Sequence, residues 1–180
     1  MVSPVRIKTT DGQFLEGQIV PMDEGHLYDV EAFWQPILTA VGQLDPVWKW
    51  EYKLRQSQRQ DSYETYSLDV DNLSQGLLFV ETQQHRSQQS QRFPLVYVEM
   101  LVTAPWNRVD IEQPPWLRGV GSLLLLFSRQ RSVELGYDGR VALHSLPSAE
   151  GFYHTQGMPD YGPDPDKDGL VYFEYSALPV

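Results

Sequence analysis

The stretch Trp116-Leu-Arg-Gly-Val-Gly-Ser-Leu-Leu-Leu125 sets Gly119 and Gly121 one residue apart at the head of an apolar run, 123–127. A glycine turn feeding a helix can aim backbone N–H groups at an anion. The first turn of a helix leaves those donors unused, and the helix dipole is positive there. The same residues also read as a packed entry into a buried helix, and ten residues alone do not decide between the two. Spacing excludes two known phosphate turns. A dinucleotide fingerprint needs a third glycine where Leu124 stands, and a nucleoside-triphosphate loop needs Gly-Lys-Ser/Thr, which occurs nowhere in the chain.

Working outward, the pattern downstream predicts a helix over 119–135 capped by Gly136, and a turn at Asp138-Gly139. A strand over 140–146, a short helix over 148–156 stopped by Gly157 and a last strand over 170–175 follow. Upstream, 106–115 is irregular, with a Pro-Pro pair. The strongest strand signal covers 95–102. Residues 83–92, "QQHRSQQSQR", read as a solvated hairpin loop. Before it come an apolar strand over 77–82, a turn over 71–76 and an alternating strand over 64–70. Two helices precede these. One covers 29–41, where Pro36 should distort it. The other opens with Asp45-Pro46 as N-cap and first residue and runs to about Gln58. Strands over 5–9 and 14–20 flank Asp11-Gly12 as a hairpin. The order predicts a single α/β domain over 1–180, with a mixed, mostly antiparallel sheet flanked by helices and an extra N-terminal hairpin.

Composition narrows the function. The 180 residues carry a formal charge of −10, which argues against a nucleic-acid surface, since phosphate backbones need clustered Lys and Arg. There is no cysteine, which removes disulfides, thiolate metal sites and a cysteine nucleophile. No signal-peptide pattern opens the chain, and no apolar run is long enough to span a bilayer. A cytoplasmic, membrane-free protein is the expectation. Oligomeric state is not legible.

Four pieces occur in a fixed order over 95–175. They are "VYVEMLV" at 96–102, "WLRGVG" at 116–121, "VALHSL" at 141–146 and "AEGFYHTQGM" at 149–158. In this order the chain resembles the GNAT superfamily of acyl-CoA-dependent N-acetyltransferases. The resemblance implies a GNAT-like fold and acetyl-CoA as co-substrate, with no metal. The acceptor would be a small-molecule or peptide amine. It implies that the backbone of Arg118, Gly119, Val120, Gly121 and Ser122 holds the coenzyme A pyrophosphate. Leu101, Val102 and Thr103 would pair with the pantetheine amides like an added strand. Tyr153 matches the family's tyrosine that protonates the departing thiolate.

Glu99 is the candidate base, as a carboxylate inside an apolar strand, where burial is costly without a role or partner. Glu81 is the alternative from the neighbouring strand, and His144 reads as a packed or hydrogen-bonded residue. The segment 106–115 inserts between strand and loop where most members pass directly. Trp106 and Asn107, with Arg108 and Asp110, are therefore the acceptor-pocket candidates. Trp116 replaces the Gln or Arg that usually leads the loop, Leu146 a frequent Asn, and Met158 a Phe. The alternative function is a GNAT-fold protein that binds coenzyme A or a partner without catalysis.

Two other patterns lead away from function. "DPDKDG" at 164–169 starts like a calcium loop, but Tyr175 stands where the bidentate Glu belongs, so it reads as a solvated acidic turn. Trp34, Trp48 and Trp50 lie at helical spacing without a basic groove and read as core.

Overall fold

The computed structural model describes residues 2–43 and 49–179. The expected helix start at Asp45-Pro46, together with Val47 and Trp48, lies outside the described residues. The chain divides into two compact units. The first is Met1–Phe79 with Met100–Leu124, and the second is Val80–Glu99 with Leu125–Val180.

In the first unit, β1 (Ser3–Thr9) and β2 (Phe14–Pro21) form the expected hairpin. Asp23 then caps α1 (Glu24–Asp29) through a capping box. Its carboxylate accepts from Gly25 and His26 N–H, and its own N–H donates to His26 Nδ1. The predicted helix therefore starts earlier than residue 29. Pro36 does not break it. The chain widens to a π turn at Val30–Trp34, with Gln35 N–H bonding the Val30 carbonyl, and α2 (Gln35–Ala40) opens with the proline in its first turn. After α3 (Trp50–Arg59) come β3 (Tyr63–Val70) and β4 (Leu73–Glu81).

The turn between β3 and β4 is shorter than predicted. It is Asp71-Asn72, both left-handed with φ of 53° and 59°. Gly76, read as part of that turn, sits inside β4. β5 (Val96–Thr103), β6 (Leu117–Arg118) and the start of α4 (Val120–Glu134) complete the unit. The strand order is β6-β1-β2-β3-β4-β5. Its core packs Leu27, Val30, Trp34, Leu38, Trp50 and Leu54 of the helices against Leu77, Phe79 and Val102 of the sheet. Trp34 and Trp50 are core, as expected.

In the second unit the order is β5, β7 (Val141–Ser145), β9 (Val171–Tyr175), β8 (Asp160–Pro163). β5 and β7 run parallel, and their registered pairing stops after Val96↔Val141 and Tyr97↔Ala142 although β5 continues to Thr103. β7–β9 and β9–β8 are antiparallel. β8, "DYGP", has no apolar alternation and was invisible in the sequence. Gly136 ends α4 with φ of 80°, its N–H bonding Val133 and that of Tyr137 bonding Ser132. α5 (Glu150–Thr155) stops at Gly157.

The polar loop after β4 is not merely solvated. Glu81, fully buried, accepts backbone N–H groups from Gln83, Gln84 and His85 and pairs with His85 Nδ1 at 2.9 Å. The Glu174 carboxylate takes Ser87 Oγ–H and Gln88 N–H. Buried carboxylates thus pin residues 83–88 of a segment whose composition is all surface.

Candidate functional site

The glycine turn lies in the first unit. Gly119 has φ of 87°, a conformation L side chains rarely adopt, and nothing stands within 4 Å of where a Cβ would project. The first bond of the α4 ladder runs from Leu123 N–H to the Gly119 carbonyl at 2.9 Å. The N–H groups of Val120, Gly121 and Ser122 therefore precede the ladder and find no partner in it. Val120 and Gly121 are buried, while Arg118 and Gly119 are exposed. The N-terminus of a 15-residue helix thus opens through a glycine onto free space.

The helix comes close because β4 carries a glycine beneath it. A Cβ on Gly76 would lie 2.6 Å from Val120 Cγ1, 2.9 Å from Leu124 Cδ1 and 3.0 Å from the Val102 carbonyl. Next to it, buried Gln75 organises the insertion. Its side-chain oxygen accepts Trp106 Nε1–H at 2.8 Å and Asn107 Nδ2–H at 2.9 Å. Asn107 Oδ1 in turn accepts Leu117 N–H at 2.9 Å. The polar atoms of Trp106 and Asn107, expected at an acceptor pocket, are spent on bracing the start of the turn. Arg108 Nε donates to the Thr103 carbonyl at 2.8 Å, and the Asp110 carboxylate accepts from Gln43.

The N-terminal strand belongs to this site, which no sequence signal revealed. β1 pairs with β6 at Lys8↔Arg118 and Thr9↔Leu117. Thr10 N–H donates to the Trp116 carbonyl and Thr10 Oγ1–H to that of Pro115. Trp116 is about one-third exposed, and its own N–H bonds the Trp106 carbonyl.

Glu99 and Tyr153 lie in the second unit. Glu99 is exposed, so the expected cost of a buried carboxylate does not arise. Tyr153 on α5 packs its ring against Phe152 and Phe173. Burial pushes its phenol up to about 12. Its hydroxyl has no partner among the described residues yet is not sealed from open space.

His144 is held in a chain, with Tyr97 Oη at 2.7 Å from Nδ1 and Asp164 Oδ2 at 2.9 Å from Nε2. Burial lowers its pKa against the pull of Asp164. The acidic turn is thereby tied to the sheet through Asp164. Glu81, the alternative base, is consumed by the loop it pins. No group of three or more His, Cys, Asp or Glu among the described residues is arranged to hold a metal. No helix among them is long and apolar enough to cross a membrane.

No protein-family model matches the chain, and no curated protein does. Solved structures do. The GNAT domain of S. lividans PAT superposes with a TM-score of 0.62 at 13% identity, over 96% of each chain. A PaiA N-acetyltransferase from Thermoplasma acidophilum in complex with coenzyme A gives 0.61 at 12%, over 89% of this chain and 98% of that one. The aminoglycoside acetyltransferase AAC(6')-Iy in complex with a bisubstrate analogue of coenzyme A gives 0.57 at 14%, over 78% and 89%. The chain has the fold of the GNAT acetyltransferases.

Proposed function

We propose that the protein is an acyl-CoA-dependent N-acyltransferase that uses acetyl-CoA to acetylate an amine of a small molecule or peptide in the cytoplasm. The observation that carries this reading is the exposed, left-handed Gly119 opening onto the unused N–H groups of Val120–Ser122. The residues fit the group. Free donors at the positive end of α4 suit a pyrophosphate, and the missing Cβ leaves room for it. Leu101–Thr103 follow the point where β5–β7 pairing ends, so their backbone is the natural partner of the pantetheine amides. Trp106 would offer the acceptor its ring face, since its N–H is engaged.

Bound acetyl-CoA supplies the thioester carbon. The amine nitrogen attacks that carbon, the C–N bond forms, and the C–S bond breaks. Glu99, open to solvent, takes a proton from the nitrogen directly or through water. The family resemblance is what assigns the departing sulfur to Tyr153. A phenol near 12 handing its proton to a thiolate whose acid lies near ~8.5 goes uphill by about 5 kcal/mol. Tyr153 therefore passes its proton to the sulfur only in concert with taking up the second proton that leaves the attacking nitrogen, so no phenolate is left behind. The products are an amide, a thiol and, from an ammonium, one released proton.

Acetyl-CoA binding by calorimetry tests the reading. Wild type should bind and Gly121→Glu, which puts a carboxylate among the N–H groups, should not. A wild type that does not bind sinks it. Tyr153→Phe should slow turnover with little change in cofactor affinity, and unchanged turnover removes Tyr153 from the chemistry. The alternative is a GNAT-fold protein that binds coenzyme A or a partner without catalysis. Leu146 favours it, a half-exposed apolar side chain where the resemblance implies a frequent Asn. Coenzyme A binding without thiol release across a broad amine panel would select that alternative.

A further inference from the structure

We infer that Lys8, on the extra N-terminal strand, binds a phosphate of the acyl-CoA together with the Arg118 side chain. The inference rests on the transferase reading above and extends the site beyond the glycine turn. Lys8 and Arg118 are register partners across β1 and β6, and both are exposed. Directly opposed side chains project from the same face of a sheet, and like charges in that arrangement repel. Neither cation is ion-paired with a described carboxylate, whereas Arg6, two residues earlier, reaches Glu16 at 3.4 Å. The ammonium of Lys8 rests only 5.8 Å above the Phe14 ring, a weak hold.

The chain has 24 acidic residues against 14 basic ones. An anion between two register neighbours of like charge turns a repulsion into two charge-assisted contacts. The position identifies the anion's class. Arg118 immediately precedes Gly119 and the unused N–H groups of Val120, Gly121 and Ser122, so anything held by the pair lies next to the positive end of α4. Thr10 fixes the geometry. Its hydroxyl is 3.4 Å from Arg118 Nε and bonds the Pro115 carbonyl, which ties β1 to the turn at two points. The hairpin is therefore more than a sheet extension, because it delivers a second basic side chain to the mouth of the site.

Two phosphate sources share this chemistry, the pyrophosphate and the ribose 3′-phosphate. Titration calorimetry with coenzyme A, 3′-dephospho-coenzyme A and pantetheine separates them, using wild type, Lys8→Gln, Lys8→Glu and Lys8→Arg. Lys8→Gln should weaken coenzyme A by roughly three- to tenfold, the range for one partly exposed charge-assisted contact. Lys8→Glu should weaken it further, Lys8→Arg should retain it, and pantetheine binding should not respond. Equal losses for coenzyme A and its dephospho form place Lys8 on the pyrophosphate, and a loss confined to coenzyme A places it on the 3′-phosphate. A wild type that binds coenzyme A, with Lys8→Gln and Lys8→Glu binding it equally well, overturns the inference and leaves the transferase reading standing. A wild type that binds none overturns both.

Discussion

Gly76 is where the fold and the proposed cofactor turn meet, and Gly76→Ala measures the connection. Its φ is not in the left-handed region, so alanine meets no backbone strain there. Reduced freedom of the unfolded chain should by itself stabilise the variant by about 0.4–1 kcal/mol. Against this stands the added methyl, 2.6 Å from Val120 Cγ1 and 3.0 Å from the Val102 carbonyl. The first contact requires Val120, the first residue of α4, to move. The second involves backbone and yields less. Overpacking of this kind costs about 1–3 kcal/mol, so the net loss should be about 1–2 kcal/mol. For a chain of this length, that lowers Tm by roughly 2–8 °C. The same displacement moves the N–H groups of Val120–Ser122, so coenzyme A affinity should fall with stability. The control is Val120→Ala, which alone should cost about 2 kcal/mol through lost burial. Combined with Gly76→Ala, it removes the 2.6 Å contact, so urea denaturation should show the double variant losing at least about 1 kcal/mol less than the sum of the singles. Losses that add to within about 0.5 kcal/mol would refute the steric account.

Other perturbations read other parts of the structure. Glu81 is the buried carboxylate that pins the loop. Burial raises its pKa, but the His85 bond and three backbone N–H donors outweigh that and hold it below the usual range. Its stabilising contribution is therefore present above the unfolded pKa and lost as pH falls through the folded one. Wild-type Tm should drop more steeply below about pH 4.3 than that of Glu81→Gln, and parallel curves would contradict this. His26 titrates in the opposite sense. Burial lowers its pKa, but the hydrogen bond and charge of Asp69, with the charges of Asp23 and Asp29, leave it raised. That stability is full below about pH 6.5 and fades as pH rises through the higher folded value. His26→Gln should flatten the wild-type decline above pH 6.5, and an unchanged slope would remove His26 as its source. Trp34→Phe removes a buried N–H that has no partner among the described residues. Its cost in denaturation should be below about 2 kcal/mol, under the 3–5 typical of deleting a buried aromatic ring.

Periodicity and punctuation made most of the fold legible. β1, β2, β3, β5, α4 and β9 follow from alternation, from apolar runs and from glycine or proline at their ends. The failures have particular causes. Gly76 reads as a turn because glycine usually serves conformation. Here it serves proximity, and nothing local to β4 announces a helix arriving from residue 120. Asp71-Asn72 reads as the start of a longer loop because the left-handed pair contains no glycine. β8 is missed because its four residues include a glycine and a proline, which read as a turn, and its pairing with β9 is interrupted between Asp160 and Pro163. The loop over 83–92 misleads by composition, since it is anchored by two buried glutamates outside it, Glu81 and Glu174.

The same distinction divides the candidate site. The glycine turn is local, so its spacing and its expected helix were readable. What surrounds it is not local. Gln75 grips Trp106 and Asn107 from more than thirty residues away. Lys8 and Thr10 reach Arg118 and Pro115 across more than a hundred. A sequence motif names the part of a binding site that one short segment can build. It omits the parts that sheet order supplies. The unpaired Lys8–Arg118 couple is such a part, since pairing β1 with β6 is what makes two ordinary surface cations into neighbours. If coenzyme A is the ligand, its phosphates meet a site assembled from both ends of the first unit's sequence. Affinity should then depend on the hairpin that the family motif does not include.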